Sequence, residues 1–168
     1  NKALGIPQSS PQRSQLRVLR KLLRCARYTA FGQRFVFEQI LQSRHIGKVF
    51  QENVPVYTYN KIYKDWWYRS LVGEVDICWP GKIKYFALSS GTSESASKYI
   101  PVTNDLLRGN KVIMIKQLIS LFNYKDVPLA SIGKGWLTLG GSTDLQQEAG
   151  YYAGDLSGIT AKKAPFWF

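Results

Sequence analysis

One stretch near the middle of the chain constrains its fold more than any other. Ile83-Lys84-Tyr85-Phe86-Ala87-Leu88 reads as a β-strand, and Lys98 to Val102 reads as a second extended piece. Between them, six of the nine residues from Ser89 to Ser97 carry hydroxyls, with Gly91 in their midst. Two strands only a handful of residues apart hold the ends of such a segment close together, which is not how a free Ser-rich linker is placed. A polyphosphate needs many hydrogen-bond donors converging on a small volume, and a cation nearby. Short hydroxyl side chains and backbone N–H groups supply the donors, Gly91 permits a tight turn, and Lys98 supplies the charge. Ser89, Ser90, Gly91, Thr92, Ser93 and Lys98 are therefore the candidate phosphate-binding residues, at a strand end where α/β sheets place their ligands. The segment is not a Walker loop, because Gly91 is not followed by Gly-Lys-Ser/Thr.

The rest of the chain frames that loop. Ser10 and Pro11 have the identities of an N-cap and a first helical residue. Leu16, Leu19, Leu22, Leu23 and Ala26 then share one helix face. Arg13, Arg17, Arg20, Lys21, Arg24 and Arg27 gather on the other within an arc of about 120°. A second helical stretch, Phe35 to Leu41, offers Phe37, Ile40 and Leu41 for burial. Pro55 biases Val54 towards extended backbone. Thr58 caps a third helix through Ile62, Tyr63, Trp66 and Trp67 that stops before Gly73, and Pro80-Gly81 marks a turn. Beyond the loop, Asn104 is the expected cap of a long helix to about Phe122, carrying Leu107, Val112, Ile115, Leu118 and Ile119. Trp136 to Leu139 reads as a short buried strand ending at Gly140-Gly141, and the remainder is a glycine-rich tail. The expected fold is α/β: helices over 1–73, then strand–loop–strand–helix–strand over 74–168.

Composition narrows the function classes. With 45% hydrophobic and 14% aromatic residues the chain is not a disordered polypeptide. Lys and Arg number 23 against 11 Asp and Glu, a net charge of +12 that favours anionic partners such as nucleotides. The basic helix face has two readings: a surface that is solvated or contacts the missing part of an enzyme, or a site for nucleic acid or acidic membrane. The first is preferred, because no nucleic-acid module accompanies the helix. His45 is the only histidine and has no cysteine near it, so no metal site is expected. Cys25 and Cys78 lie far apart in sequence and fit no redox or metal spacing, which favours a reduced, cytoplasmic setting. No signal peptide is expected in the polar segment Asn1 to Arg13. Trp66-Trp67-Tyr68 is read as core rather than as a stacking platform.

A resemblance adds to these readings. Phe86-Ala87-Leu88-Ser89-Ser90-Gly91-Thr92-Ser93, with Lys98-Tyr99-Ile100-Pro101-Val102-Thr103, resembles the first nucleotide motif of the auxin-responsive acyl-acid amido synthetases, members of the acyl-adenylate-forming, firefly-luciferase-like superfamily. Thr29-Ala30-Phe31-Gly32, Val54-Pro55-Val56-Tyr57 and Trp79-Pro80-Gly81-Lys82-Ile83 are similar to the family's upstream pattern. Gly140-Gly141-Ser142 and Gly154-Asp155-Leu156-Ser157-Gly158 are similar to segments downstream, especially in bacterial members. Ser95 departs from a position that is commonly glycine, and Ser97 from one that is often basic.

The resemblance implies the amino-terminal part of a large adenylating domain. It also implies an ATP-dependent ligase that uses Mg²⁺ to join a carboxylic acid to an amino acid. Ser89, Ser90, Gly91, Thr92 and Ser93 would then cradle the phosphates, and Lys98 would be the motif's terminal lysine. No catalytic residue is assigned. The family's later nucleotide motifs are not visible in the 168 residues. The chain alone is therefore expected not to adenylate anything, and the remainder of an enzyme or an oligomer partner is expected to complete it. The rival reading is a non-catalytic basic module that binds nucleic acid or acidic membrane.

Overall fold

The computed structural model describes residues 10–89, 97–120, 141–148 and 150–163. The chain forms two compact units that divide between Ile83 and Lys84.

The first unit is helical. Helix α1 spans Pro11–Ala26, with Pro11 at its first position and the Ser10 hydroxyl accepting from the Arg13 amide at 3.3 Å, as the cap residues require. Leu23 and Ala26 are buried against Phe37, Ile40 and Ile46, with Leu19 packed alongside. Leu22 departs from expectation and stays 47% exposed. It lies at the edge of the apolar arc, about 100° round the helix from Leu23, so the core never reaches it. Helix α2, Ala30–Arg34, follows at once because Thr29 caps it: the Thr29 hydroxyl accepts from the Gly32 amide at 3.1 Å and donates to the Ala26 carbonyl at 2.7 Å. A Cβ on Gly32 would fall onto that same carbonyl, so only glycine fits beneath the end of α1.

The helix expected from Phe35 begins two residues later, as α3 (Phe37–Gln42). Val36 takes a left-handed conformation, φ 48° and ψ 45°, and this separates α2 from α3. Phe37 and Ile40 are buried as expected and Leu41 is half-buried. Helix α4, Ile46–Asn53, was not legible beforehand; the exposed His45 occupies its N-cap position. Val54 is extended, φ −106° and ψ 113°, as the following proline dictates.

Thr58 caps α5 (Tyr59–Ile62), which continues through a wider π-turn segment, Tyr63–Trp67, into α6 (Tyr68–Leu71). Trp66 packs edge-on to Phe31 at 5.0 Å and its indole N–H donates to the Tyr57 hydroxyl at 3.1 Å. Trp66 and Trp67 are half-buried, whereas Tyr68 is exposed and is not core. Residues 76–77 return to α2 through Ala30 N–H to Asp76 O and Phe31 N–H to Ile77 O, both 2.8 Å. The Pro80-Gly81 turn closes with Gly81 at φ 85° and its amide on the Asp76 carboxylate at 2.7 Å.

The second unit is built on a four-stranded mixed sheet in the order β2-β1-β4-β3. The strands are β1 (Tyr85–Leu88), β2 (Tyr99–Val102), β3 (Gln146–Glu148) and β4 (Tyr151–Gly154). β1 pairs antiparallel with β2 and parallel with β4, and β3 pairs antiparallel with β4. The first strand is thus two residues shorter than Ile83–Leu88, and Pro101 sits on an edge strand, where its missing donor is tolerated.

Helix α7 spans Asn104–Ser120. Its cap is Thr103 and not Asn104, because the Thr103 hydroxyl accepts from the Leu106 amide at 3.0 Å. Leu107 is its buried residue, while Val112, Ile115 and Ile119 are exposed. The segment read as a glycine-rich tail instead forms the β3–β4 hairpin, turning at Gly150 (φ 106°), and helix α8 (Leu156–Lys162). Ala87, Val102, Leu107, Leu145 and Ile159 form this unit's core. The expected strand Trp136–Leu139 and the helix end at Leu121 and Phe122 lie outside the described residues. Among the described residues, no helix is long and apolar enough to cross a membrane.

Candidate nucleotide site

Three separate pieces of sequence meet at one end of the sheet. β1 and β4 run parallel with Ala87 level with Gly154, so Ser89 and Asp155 leave the sheet at the same end. β2 runs the other way and begins there, which puts Lys98 beside them. The C-terminal end of a parallel pair is where open α/β sheets hold ligands.

The root of the loop is defined by one hydrogen bond. The Ser89 amide donates to the Lys98 carbonyl at 3.1 Å, one step past the Leu88–Tyr99 pair, so the β1–β2 ladder extends to the loop's base. Ser89 therefore offers its hydroxyl and not its N–H. Lys98 is exposed at this rim. Ser90, Gly91, Thr92 and Ser93 lie outside the described residues, as does Glu94.

Beside this root, residues 141–145 and the start of α8 are locked together. The Gly141 amide donates to the Ser157 hydroxyl at 2.7 Å, and the Asp144 amide donates to the Ser142 hydroxyl at 3.0 Å. A Cβ on Gly141 would meet the Asp155 side chain, and one on Gly158 would fall onto the Ser142 carbonyl oxygen. The two glycine-bearing segments singled out in the sequence are thus structural partners. Their small residues were visible beforehand, but their pairing was not, because nothing local in a sequence links positions sixteen residues apart.

No group of three His, Cys, Asp or Glu among the described residues is placed to hold a metal ion. The described residues therefore offer no carboxylate set of their own for a Mg²⁺ ion, which at nucleotide sites is commonly carried by phosphate oxygens. Three titratable groups with perturbed acidity, Arg69, Glu74 and Cys78, lie in the helical unit. The Arg69 guanidinium, hydrogen-bonded to Glu74 at 2.7 and 3.0 Å, holds the Glu74 carboxyl below its ordinary value. Burial pushes the Cys78 thiol up to about 12, and neither Cys78 nor Cys25 is in a disulfide.

Comparison with known protein families matches residues 7–168 to the GH3 family N-terminal domain, which takes in both compact units. The chain belongs to the GH3 family. GH3 proteins are the auxin-responsive acyl-acid amido synthetases, so the family indicated by the Phe86–Ser93 and Lys98–Thr103 motifs is the one the chain carries. No curated protein matches the chain.

Proposed function

We propose that this GH3 chain holds the triphosphate of ATP for an acyl-adenylating ligase. The carrying observation is the hydroxyl-dense segment from Ser89 to Lys98, rooted at the C-terminal end of the β1–β4 parallel pair in a chain of this family.

The chemistry has two steps. A substrate carboxylate oxygen attacks the α-phosphorus of ATP, the bond to the β-phosphate oxygen breaks, and pyrophosphate leaves. The neutral amine of an amino acid then attacks the acyl carbon, an amide bond forms as the nitrogen gives up a proton to solvent, and AMP leaves with the electron pair of the broken anhydride bond. Neither step asks the loop for a proton. What it needs is a triphosphate held still and its charge offset as pyrophosphate departs, a matter of positioning and electrostatics. The hydroxyls of Ser89, Ser90, Thr92 and Ser93 and the backbone around Gly91 supply donors, and the Lys98 ammonium supplies the charge. Mg²⁺ would add charge neutralisation on the phosphates.

Calorimetric titration of the full chain with MgATP, tripolyphosphate and AMP tests this reading. A phosphate-holding loop binds the first two and ignores AMP. Lys98→Ala and Thr92→Ala each weaken the triphosphate ligands, Lys98→Ala by roughly tenfold to a hundredfold, the scale of one lost charged hydrogen bond. Undetectable tripolyphosphate binding, or equal binding by both variants, would remove the proposal.

A further inference from the structure

Helix α7 is covered on one side only. At about 100° per residue, Leu107, Lys111, Met114 and Leu118 share its backing side, where Leu107 is buried and the other three are half-buried. The opposite half carries Leu106, Val112, Ile113, Ile115 and Ile119, all exposed. These apolar residues do not make one continuous face. Asp105, Gly109, Val112 and Lys116 succeed one another down its middle, with Leu106 and Ile113 on one flank and Ile115 and Ile119 on the other. A lipid surface or a purely apolar groove would meet two charges on that midline, so neither matches it. Gly109 is a second observation. It lies inside the helix, where glycine is unfavourable, yet a Cβ there would have no atom within 4 Å. Nothing among the described residues requires it, which points to the close approach of something outside the chain.

The midline complements itself when reversed. A second α7 laid antiparallel, with the two-fold axis level with the midpoint of Asn110 and Lys111, sets Asp105 opposite the partner's Lys116 and Gly109 opposite the partner's Val112. Both pairs recur on the far side of the axis. Opposite charges then meet, and a missing side chain faces a branched one. The same axis joins each flank to its own copy, so Leu106 lies beside the partner's Ile113. We propose that two copies of this chain pair through antiparallel α7 helices. Asp105 is also 3.2 Å from Arg108 in its own helix, and an exposed carboxylate accepts from more than one cation. One helix on one helix is a small contact, and the net charge of +12 on each chain opposes it. The pair is therefore weak and dissociates on dilution, so the stability of dilute protein is that of the monomer. Pairing is independent of the phosphate loop.

Sedimentation equilibrium of the full chain tests it, over roughly 10 µM to about 1 mM protein in about 0.15 M salt, which screens the overall repulsion. The wild-type chain passes from monomer to dimer across that range. Val112→Asp and Gly109→Leu each weaken pairing by roughly tenfold or more. Gly109→Leu nevertheless leaves the dilute monomer at least as stable in a circular dichroism melt, because leucine is the better helix former. Asp105→Lys and Lys116→Asp each set like charges opposite one another at both ends of the contact and weaken it roughly tenfold. Combining the two in one chain, or mixing the two single variants, restores pairing, a rescue that requires the antiparallel register. A chain that stays monomeric up to about 1 mM overturns the proposal. So does a dimer indifferent to Val112→Asp and Gly109→Leu, or a double exchange no better than the single ones. A Gly109→Leu monomer that has unfolded would show the outer face of α7 packed within the chain, and overturns it too.

Discussion

The backbone amide of Gly141 donates a 2.7 Å hydrogen bond to the hydroxyl of Ser157, sixteen residues further along. That bond holds residues 141–143 against the start of α8, next to the root of the proposed phosphate loop. The packing has two glycine positions in which a methyl group has no room. At Gly141 the obstacle is the Asp155 side chain, and at Gly158 it is the carbonyl oxygen of Ser142. A backbone obstacle yields less readily than the end of a side chain. Gly158→Ala therefore costs about 1–3 kcal/mol through overpacking. Ser157→Ala removes one hydrogen bond at an exposed site and costs about 1 kcal/mol. Urea unfolding of the two variants checks the order; a Gly158→Ala chain as stable as wild type would show that the close approach to Ser142 does not exist.

The joint between α1 and α2 rests on Thr29. Its side chain is buried, accepts from the Gly32 amide and donates to the Ala26 carbonyl. Thr29→Ala loses an N-cap and a second hydrogen bond in one change, so about 2 kcal/mol of stability goes with it. Thr29→Ser keeps the hydroxyl and loses only a methyl group, about 1 kcal/mol. Thermal melts of the pair measure the difference. Equal melting temperatures would mean that the hydroxyl is not what fixes the joint.

Local chemistry made part of this structure readable from sequence. Ser10-Pro11, Thr58 and Pro80-Gly81 each act within a few residues, and each does what its side-chain or backbone chemistry dictates. The β1–β2 hairpin was readable for the same reason, since its strands flank a single short loop. Features set by distant partners were not. The parallel pairing of β1 with β4 joins Phe86 to Ala153, and no periodicity in either segment announces it. The glycines that suggested a loose tail are instead a hairpin turn at Gly150 and a close helix contact at Gly158, because glycine marks tight approach as readily as freedom. At the site itself, the positions of Ser89 and Lys98 at the sheet's end followed from the sequence. The use of the Ser89 amide within the ladder did not.

Helix α7 separates apolar composition from burial. Leu107 is buried with Ala87, Val102, Leu145 and Ile159, whereas Ile113, six residues on, is 56% exposed. Leu107→Ala leaves a cavity in that core and costs about 2–5 kcal/mol. Ile113→Ala leaves none and shifts stability by about 0.5 kcal/mol or less. Chemical denaturation of the two variants reads the contrast directly. A large loss for Ile113→Ala would place that side chain in a packed environment in solution.

The two cysteines differ in a way that a thiol reagent detects. Cys25 is exposed, whereas Cys78 is half-buried and its thiol is pushed up to about 12 by desolvation, with Arg69 pulling only weakly the other way. Held well above the ordinary value of 9.0, Cys78 carries far less thiolate at neutral pH than a solvated thiol does. In the folded chain at pH 8, a disulfide reagent therefore titrates one thiol quickly, and Cys25→Ser removes that phase. Reaction at Cys78 keeps climbing between pH 9 and about 12, where an ordinary thiol has already levelled off. The stability linkage has the same sign. A folded-state value raised above the unfolded one contributes stability that is complete below the unfolded value and is lost as pH rises towards the folded one. Cys78→Ala accordingly flattens part of the decline in stability over that alkaline window. Two equally fast thiols at pH 8, with the chain still folded by circular dichroism, would mean that Cys78 is not shielded from water.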